Sequence, residues 1–191
     1  MKEIKSKIVE ILKYNKNLMI YSFVIFIISI FLGFLSYEKF ADKVPDIIKN
    51  AFSGVIVEDS QFMTFLNIMK RNLWITFITV LLGITVIAPI LIIFANGFVA
   101  GLVLMYVFFK GVGLLKLIFG VIPHAIFEIP AFVITSAVGM RIGLSIFSKG
   151  KRIESIIKSL KDAVIVYIII IIPLVIIGAF VETYISAAIF T

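Results

Sequence analysis

The feature that most constrains this chain is a run of residues, 73–109, that contains no charged side chain. A helix rises about 1.5 Å per residue, and the hydrocarbon layer of a bilayer is about 30 Å thick. One transmembrane helix therefore needs about 20 residues, so the run is too long for one span and fits two. Asn96-Gly97 is the strongest turn signal inside the run, and Pro89 is expected to kink the helix that precedes this turn.

The composition requires the same environment. Of the 191 residues, 62% are apolar and the mean hydropathy is +1.19, whereas a soluble domain is nearer half apolar. A water-soluble core cannot hide that much apolar surface, so lipid must act as the solvent. We therefore predict an all-α, polytopic transmembrane bundle that forms one integral membrane domain over residues 1–191. The chain has no cysteine, which excludes disulfides and thiolate metal sites.

Hydropathy divides the chain into about five transmembrane spans and three connecting segments with helical periodicity. The predicted spans are residues 18–36, 73–95, 98–115, 121–147 and 163–190. The first span is too long for the core of a cleavable signal peptide, so it should remain as an anchor. Amphipathic, interfacial segments are predicted at residues 1–17, 37–72 and 148–162. Residues 114–122 either form a loop or re-enter the membrane.

The distribution of lysine and arginine predicts the orientation of the bundle, because both are enriched in cytoplasmic segments. With the N-terminus inside, the net charge of +7 falls entirely on the inner face. Residues 1–17 and 148–162 would then be cytoplasmic, residues 37–72 extracytoplasmic, and the C-terminus outside. The basic face would adhere to anionic lipid of the cell membrane, which accounts for the charge without a nucleic-acid partner. The same face could instead dock a cytosolic partner.

Polar residues inside the spans are the candidates for function. His124, the only histidine, and Glu128 lie four residues apart and so share one face of a helix. Because successive spans alternate in direction, Glu182 and Asn72 fall at a similar depth near the outer boundary. Ionisable groups inside a membrane are costly and are functional candidates by default. We therefore expect these four side chains to meet in the outer half of the bundle.

Three interpretations of this cluster are open. The side chains could form a hydrogen-bonded group that fixes helix packing. They could move a proton or a polar headgroup, or change state when a partner binds. One histidine and two carboxylates, His124, Glu128 and Glu182, could also hold zinc. Catalysis is disfavoured because no known catalytic motif occurs and the chain offers few nucleophile–base pairs, so we expect a protein that is not an enzyme and has no cofactor.

Several further residues are expected to shape the helices. Gly97 and Gly101 form a Gly-x-x-x-Gly pair, which lets two helices approach closely. Pro123, Pro130 and Pro173 lie inside the fourth and fifth spans. Proline lacks an N–H, so Pro130 and Pro173 would free backbone carbonyls near the polar cluster.

Two stretches carry a resemblance to a known family. Residues 123–130 read Pro-His-Ala-Ile-Phe-Glu-Ile-Pro, and residues 137–143 read Ala-Val-Gly-Met-Arg-Ile-Gly. Together they resemble the stage II sporulation protein M family, which typically shows a His-Gly-x-x-Glu-x-Pro-like motif and then a Gly-x-Arg-x-Gly-like stretch. Ala125 stands where that family usually has glycine. Asn96-Gly97 is similar to the family's Asn-Gly turn, and Pro173 and Glu182 are similar to its last span.

The resemblance implies a five-span-like membrane protein. In endospore formers the founding member acts as a membrane anchor that works with a cell-wall hydrolase and its partner in engulfment. Our leading hypothesis is therefore a non-enzymatic membrane scaffold that positions envelope partners, such as cell-wall hydrolases, as a homodimer. The alternative is a permease-like transport component that moves a small solute, proton or lipid past the polar cluster. A water-filled or lipid-open cavity reaching His124, Glu128 and Glu182 would favour transport, whereas a dry, tightly packed cluster would count against it.

Overall fold

A computed structural model describes residues 2–52, 55, 60–148 and 150–190. Within these residues the chain is helical and contains no strand. The α-helices are α1 Lys2–Tyr14, α2 Lys16–Leu35, α3 Tyr37–Phe40, α4 Val44–Phe52, α5 Gln61–Leu81, α6 Ile87–Phe109, α7 Leu114–Ser145, α8 Arg152–Val166, α9 Ile172–Val181 and α10 Ala187–Phe190. A 3₁₀ turn follows α5 at Leu82–Thr85, and π-helical turns at Tyr167–Ile171 and Glu182–Ser186 join α8, α9 and α10 into one last helix.

Five helices in the described part of the chain are long and apolar enough to cross a membrane. They are Lys2–Leu35, Gln61–Thr85, Ile87–Phe109, Leu114–Ser145 and Arg152–Ile189. The predicted all-α fold with five membrane-length helices is confirmed. The orientation of the bundle in the membrane stays a prediction.

The second membrane-length helix begins earlier than the sequence predicted. α5 starts at Gln61, where Ser60 Oγ accepts a hydrogen bond from Met63 N at 3.2 Å, and not at residue 73. Lysine and arginine at positions 70 and 71 therefore belong to the helix and not to the preceding loop. Part of the predicted 37–72 segment, residues 53–54 and 56–59, lies outside the described residues.

The predicted turn at Asn96-Gly97 is wrong. Both residues lie inside α6, where Asn96 Nδ2 donates to Ile92 O at 3.0 Å. This local bond satisfies the amide inside the helix, so the asparagine need not end it. Gly97 is a packing residue: a Cβ added there would lie only 2.7 Å from Phe26 O of α2. The third membrane-length helix is therefore 87–109 and not 98–115.

The break between the second and third spans comes instead at Val86, which has a φ of +61°. Thr85 supports the new helix, because its Oγ1 accepts a hydrogen bond from Ala88 N at 3.0 Å. Pro89 then lies in the first turn of α6, where a missing N–H costs no intrahelical bond. The predicted proline kink in the second span is therefore also wrong.

The fourth span is one continuous helix. α7 begins at Leu114, so residues 114–122 belong to a helix and form neither a loop nor a separate re-entrant segment. Pro123 and Pro130 lie inside it. Its second half is the centre of the bundle, because almost every side chain from Ala131 to Gly143 is buried.

Two contacts between small residues bring helix backbones together. The predicted close approach at Gly97 and Gly101 occurs against α2, since a Cβ on Gly101 would lie 2.9 Å from Phe34 N. In α7, a Cβ on Gly143 would lie 2.5 Å from Gly83 O in the 3₁₀ turn. Such contacts hold membrane helices together without a hydrophobic driving force.

The C-terminal part of α7 binds the N-terminal helix α1 through Arg141. Arg141 Nε donates to Asn15 Oδ1 at 3.0 Å, and its Nη2 donates to Tyr14 O at 3.1 Å. The guanidinium also stacks 4.3 Å from the centre of the Tyr14 ring. The joint between α1 and α2 is thus bound to the end of α7, at the end of the bundle remote from His124.

Candidate functional site

A cavity of about 400 Å³ lies among α2, α5, α6, α7 and the last helix. Its polar lining residues are Arg71, Asn72, Asn96, His124, Glu128 and Glu182. The structure therefore brings together all four residues of the predicted polar cluster around one space. That these residues serve a function stays a prediction.

Glu128 is held from two sides. Asn72 Nδ2 donates to Glu128 Oε1 at 2.7 Å, which links α5 to α7. On the other side a Cβ on Gly178 would lie 2.9 Å from Glu128 Cγ. Glycine at position 178 thus leaves the room in which the glutamate side chain lies.

His124 is bound to the last helix. Its Nδ1 lies 2.9 Å from Ser186 Oγ, within hydrogen-bonding distance. Ser186 ends the π-helical turn that begins at Glu182, so this one turn supplies both the second carboxylate and the partner of the histidine. Isolated π turns inside α-helices are frequent at functional sites.

Arg71 is the charged residue that the sequence analysis missed. It interacts electrostatically with both Glu128 and Glu182, and Glu182 also acts on Glu128. The sequence predicts that Arg71 belongs to the extracytoplasmic segment 37–72, because charges usually mark the end of a span. A helix that begins at Gln61 carries the arginine into the bundle, where the two carboxylates offset the cost of its burial.

A second polar link lies next to the cavity. Tyr167 OH donates to Leu73 O at 2.9 Å and lies 3.2 Å from Thr76 Oγ1. Thr76 Oγ1 in turn donates to Asn72 O at 2.9 Å. These bonds join the first π-helical turn of the last helix to the part of α5 that positions Asn72. Pro173 follows this π turn and lies in the first turn of α9.

The metal interpretation lacks geometric support. Among the described residues, no three His, Asp or Glu side chains are placed to hold a metal ion. The imidazole of His124 is bonded to a serine hydroxyl instead.

The cluster is not sealed. Arg71, His124, Glu128 and Glu182 are each only partly buried by the rest of the protein. These side chains therefore border open space, unlike Thr135 and Ser136 deeper in α7, which are 0% exposed.

Fold and site together define a polytopic α-helical membrane protein with a charged cavity inside its bundle. Residues 22–187 match the family model of stage II sporulation protein M, and the chain belongs to this family. The resemblance drawn from the two sequence stretches is thus confirmed. Comparisons with curated proteins and with solved structures found no match.

Proposed function

We propose that this protein is a membrane transport component that binds its ligand in the cavity around Arg71, Glu128 and Glu182. The observation that carries the proposal is the open space itself, about 400 Å³ next to three charged side chains. Ligand sites are typically about 300–1,000 Å³, mostly apolar, with a few convergent polar groups. The cavity has this size and this lining.

The alternative, that the cluster serves packing alone, fits these contacts less well. A structural polar cluster in a membrane is expected to be closely packed, because unfilled space forfeits dispersion contacts. Here the charged groups border a cavity, while small-residue contacts elsewhere hold α2 to α6 and α7 to the 3₁₀ turn. Charges kept beside open space inside a bundle are typical of substrate and ion pathways.

Cysteine labelling tests the proposal, because the chain has no native cysteine. Ala125 lines the cavity, so a cysteine introduced by Ala125→Cys should react with a water-soluble maleimide in the folded protein. Two controls should not react: Ala137→Cys, at a position that is 0% exposed, and Ile126→Cys, at an apolar position that is 60% exposed on a membrane-length helix and so is expected to face lipid. An Ala125→Cys variant as unreactive as both controls would show a closed or dry cluster and contradict the proposal.

A scaffold is the second candidate, and one feature favours it. A groove of about 460 Å³ lies between α1 and α8, with the side chains of Lys7, Glu10, Lys158 and Asp162 along it. Such a groove could dock a partner through charged contacts, and the scaffold would position envelope proteins as a homodimer. Lys158 lines this groove. The substitution Lys158→Glu reverses its charge and should then abolish crosslinking of the protein to a partner. Unchanged crosslinking to every partner would count against the scaffold.

A further inference from the structure

We propose that the cavity binds the amine end of an amphiphile, with the ammonium group at Glu128 and Glu182 and the apolar chain against α2 and α6. This inference rests on the proposed function and names the ligand class of the same site.

The charges around the cavity are not balanced. Among the described lining residues, Arg71 supplies one positive charge, whereas Glu128 and Glu182 supply two carboxylates. Away from water a carboxylate without a counter-charge takes up either a proton or a cation, so the site can accept one more positive charge in place of a proton. A ligand ammonium group supplies that charge, and its three N–H donors match carboxylate oxygens.

An anionic ligand fits this lining poorly. Its charge would be attracted by Arg71 but repelled by both carboxylates, which Arg71 already offsets. One N–H of the Asn72 amide is also committed, because it donates to Glu128. The positioned groups therefore favour a cation over an anion.

The other wall of the cavity is apolar. α5, α7 and the last helix contribute the charged side chains, whereas α2 and α6 contribute mainly Phe26, Ile30, Val99, Val103 and Leu104. A bare ammonium ion would fill only a small part of about 400 Å³. A ligand that joins an amine to an apolar chain would use both walls, because burying the chain adds favourable free energy in proportion to its area.

Thermal unfolding of the purified full-length protein with three probes of equal chain length tests the inference. The probes are dodecylamine, dodecanol and dodecanoate, each below its micelle-forming concentration. Dodecylamine should raise the Tm in a saturable way, and the other two should not, because binding to the native state stabilises it.

Variants of the charged lining residues test whether the carboxylates strengthen dodecylamine binding and whether Arg71 weakens it. Glu128→Gln and Glu182→Gln should each weaken dodecylamine binding at least tenfold, because each removes one carboxylate charge. Arg71→Gln should strengthen it, because the positive charge that competes for the carboxylates is gone. Lys70→Gln, at an exposed neighbouring position outside the cavity, should leave binding unchanged. Two separate glutamate variants keep the test informative if one of them folds poorly.

The outcomes separate this inference from the function on which it rests. Equal stabilisation by dodecanol and dodecylamine, or unchanged dodecylamine binding in both glutamate variants, would overturn the amine assignment while a reactive Ala125→Cys still supports a ligand cavity. An unreactive Ala125→Cys would contradict both the amine assignment and the proposed ligand cavity.

Competition by lipid vesicles then identifies the source of the amine. Phosphatidylethanolamine that displaces dodecylamine, when phosphatidylglycerol with the same chains does not, supports a lipid headgroup. Displacement by neither lipid, with dodecylamine binding intact, supports a free hydrophobic amine.

Discussion

Replacing Gly143 with alanine should destabilise the protein, although alanine is the better helix former. Gly143 lies in α7 against the 3₁₀ turn, and an added Cβ would lie 2.5 Å from Gly83 O and 2.9 Å from Ile84 O. Both atoms belong to the backbone and cannot rotate away, and Val86 Cγ2 lies equally close at 2.5 Å. Since ordinary contacts of a Cβ begin at 3.4 Å, the turn would have to move from 2.5 to 3.4 Å at its closest atom, about 0.9 Å.

The expected size follows from two opposing effects. Forcing extra volume into a packed interface costs about 1–3 kcal/mol, whereas replacing glycine by alanine inside a helix contributes about 1 kcal/mol. The blocking atoms are backbone, so the cost should lie in the upper part of its range. We expect a net loss of about 1–2 kcal/mol, which lowers the Tm by about 2–8 °C for a protein of this size.

The assay is thermal unfolding in detergent, with Gly113→Ala as the matched control. A Cβ on Gly113 meets nothing within 4 Å, and its φ of −59° suits alanine. Gly113 is the N-cap of α7, where alanine is less favourable than glycine, but alanine also lowers the entropy of the unfolded chain; these effects oppose each other at about 1 kcal/mol or less, so the Tm of Gly113→Ala should change little. If Gly143→Ala were as stable as the parent protein, the close approach of α7 to the 3₁₀ turn would be wrong.

Three further changes test other contacts by the same Tm measurement. Ser22→Ala should raise stability by about 1 kcal/mol, because Ser22 is 0% exposed and its hydroxyl has no partner in the described part of the chain; a lower Tm would contradict this. Arg141→Ala should lower the free energy of unfolding by about 1.5–3 kcal/mol, because it removes the charged hydrogen bonds to Asn15 and Tyr14. Tyr14→Phe keeps the backbone acceptor and should change the Tm little. Equal losses of Tm in the two variants would contradict this assignment. Glu128→Gln should keep its Tm, since the new amide oxygen still accepts from Asn72; a large loss would favour a purely structural cluster.

The sequence was sufficient for the number of membrane-length helices and for the meeting of Asn72, His124, Glu128 and Glu182. Hydropathy and helix length determine the number of helices, because in lipid the backbone hydrogen bonds of each span must form within that span. The alternating directions of the spans determine the meeting of the four polar side chains, because they fix the depth of each side chain in the membrane. Both arguments depend on lengths of about 20 residues and tolerate small errors in helix ends.

Local signals were less reliable. Asn96-Gly97 predicts a turn in water, but here the asparagine bonds its own helix and the glycine packs against α2. The true break depends on a positive φ at Val86, a residue type that rarely adopts it. The signals available for that break were Thr85, whose hydroxyl can accept from the first turn of a helix, and Pro89, which suits a first turn.

Arg71 was hidden for a different reason. A charge near the start of an apolar run usually marks the boundary of a span, so the sequence predicts that the arginine lies outside the membrane. Its partners, Glu128 and Glu182, are distant in sequence, and only the packing of three helices reveals them. The contacts of Tyr167 and Ser186 were hidden in the same way, because both depend on π-helical turns that the sequence does not mark.

The most direct test of the account is whether the last helix meets α7 at the cavity. In the cysteine-free chain, oxidation with iodine should form a disulfide between His124→Cys and Ser186→Cys within one molecule, because His124 Nδ1 and Ser186 Oγ lie 2.9 Å apart. A pair made of His124→Cys and Ser145→Cys, which lie 21 residues apart (145 − 124) along α7, should not be joined. Failure of the 124–186 pair to crosslink while both cysteines remain reactive would contradict the shared cavity and the functions proposed for it.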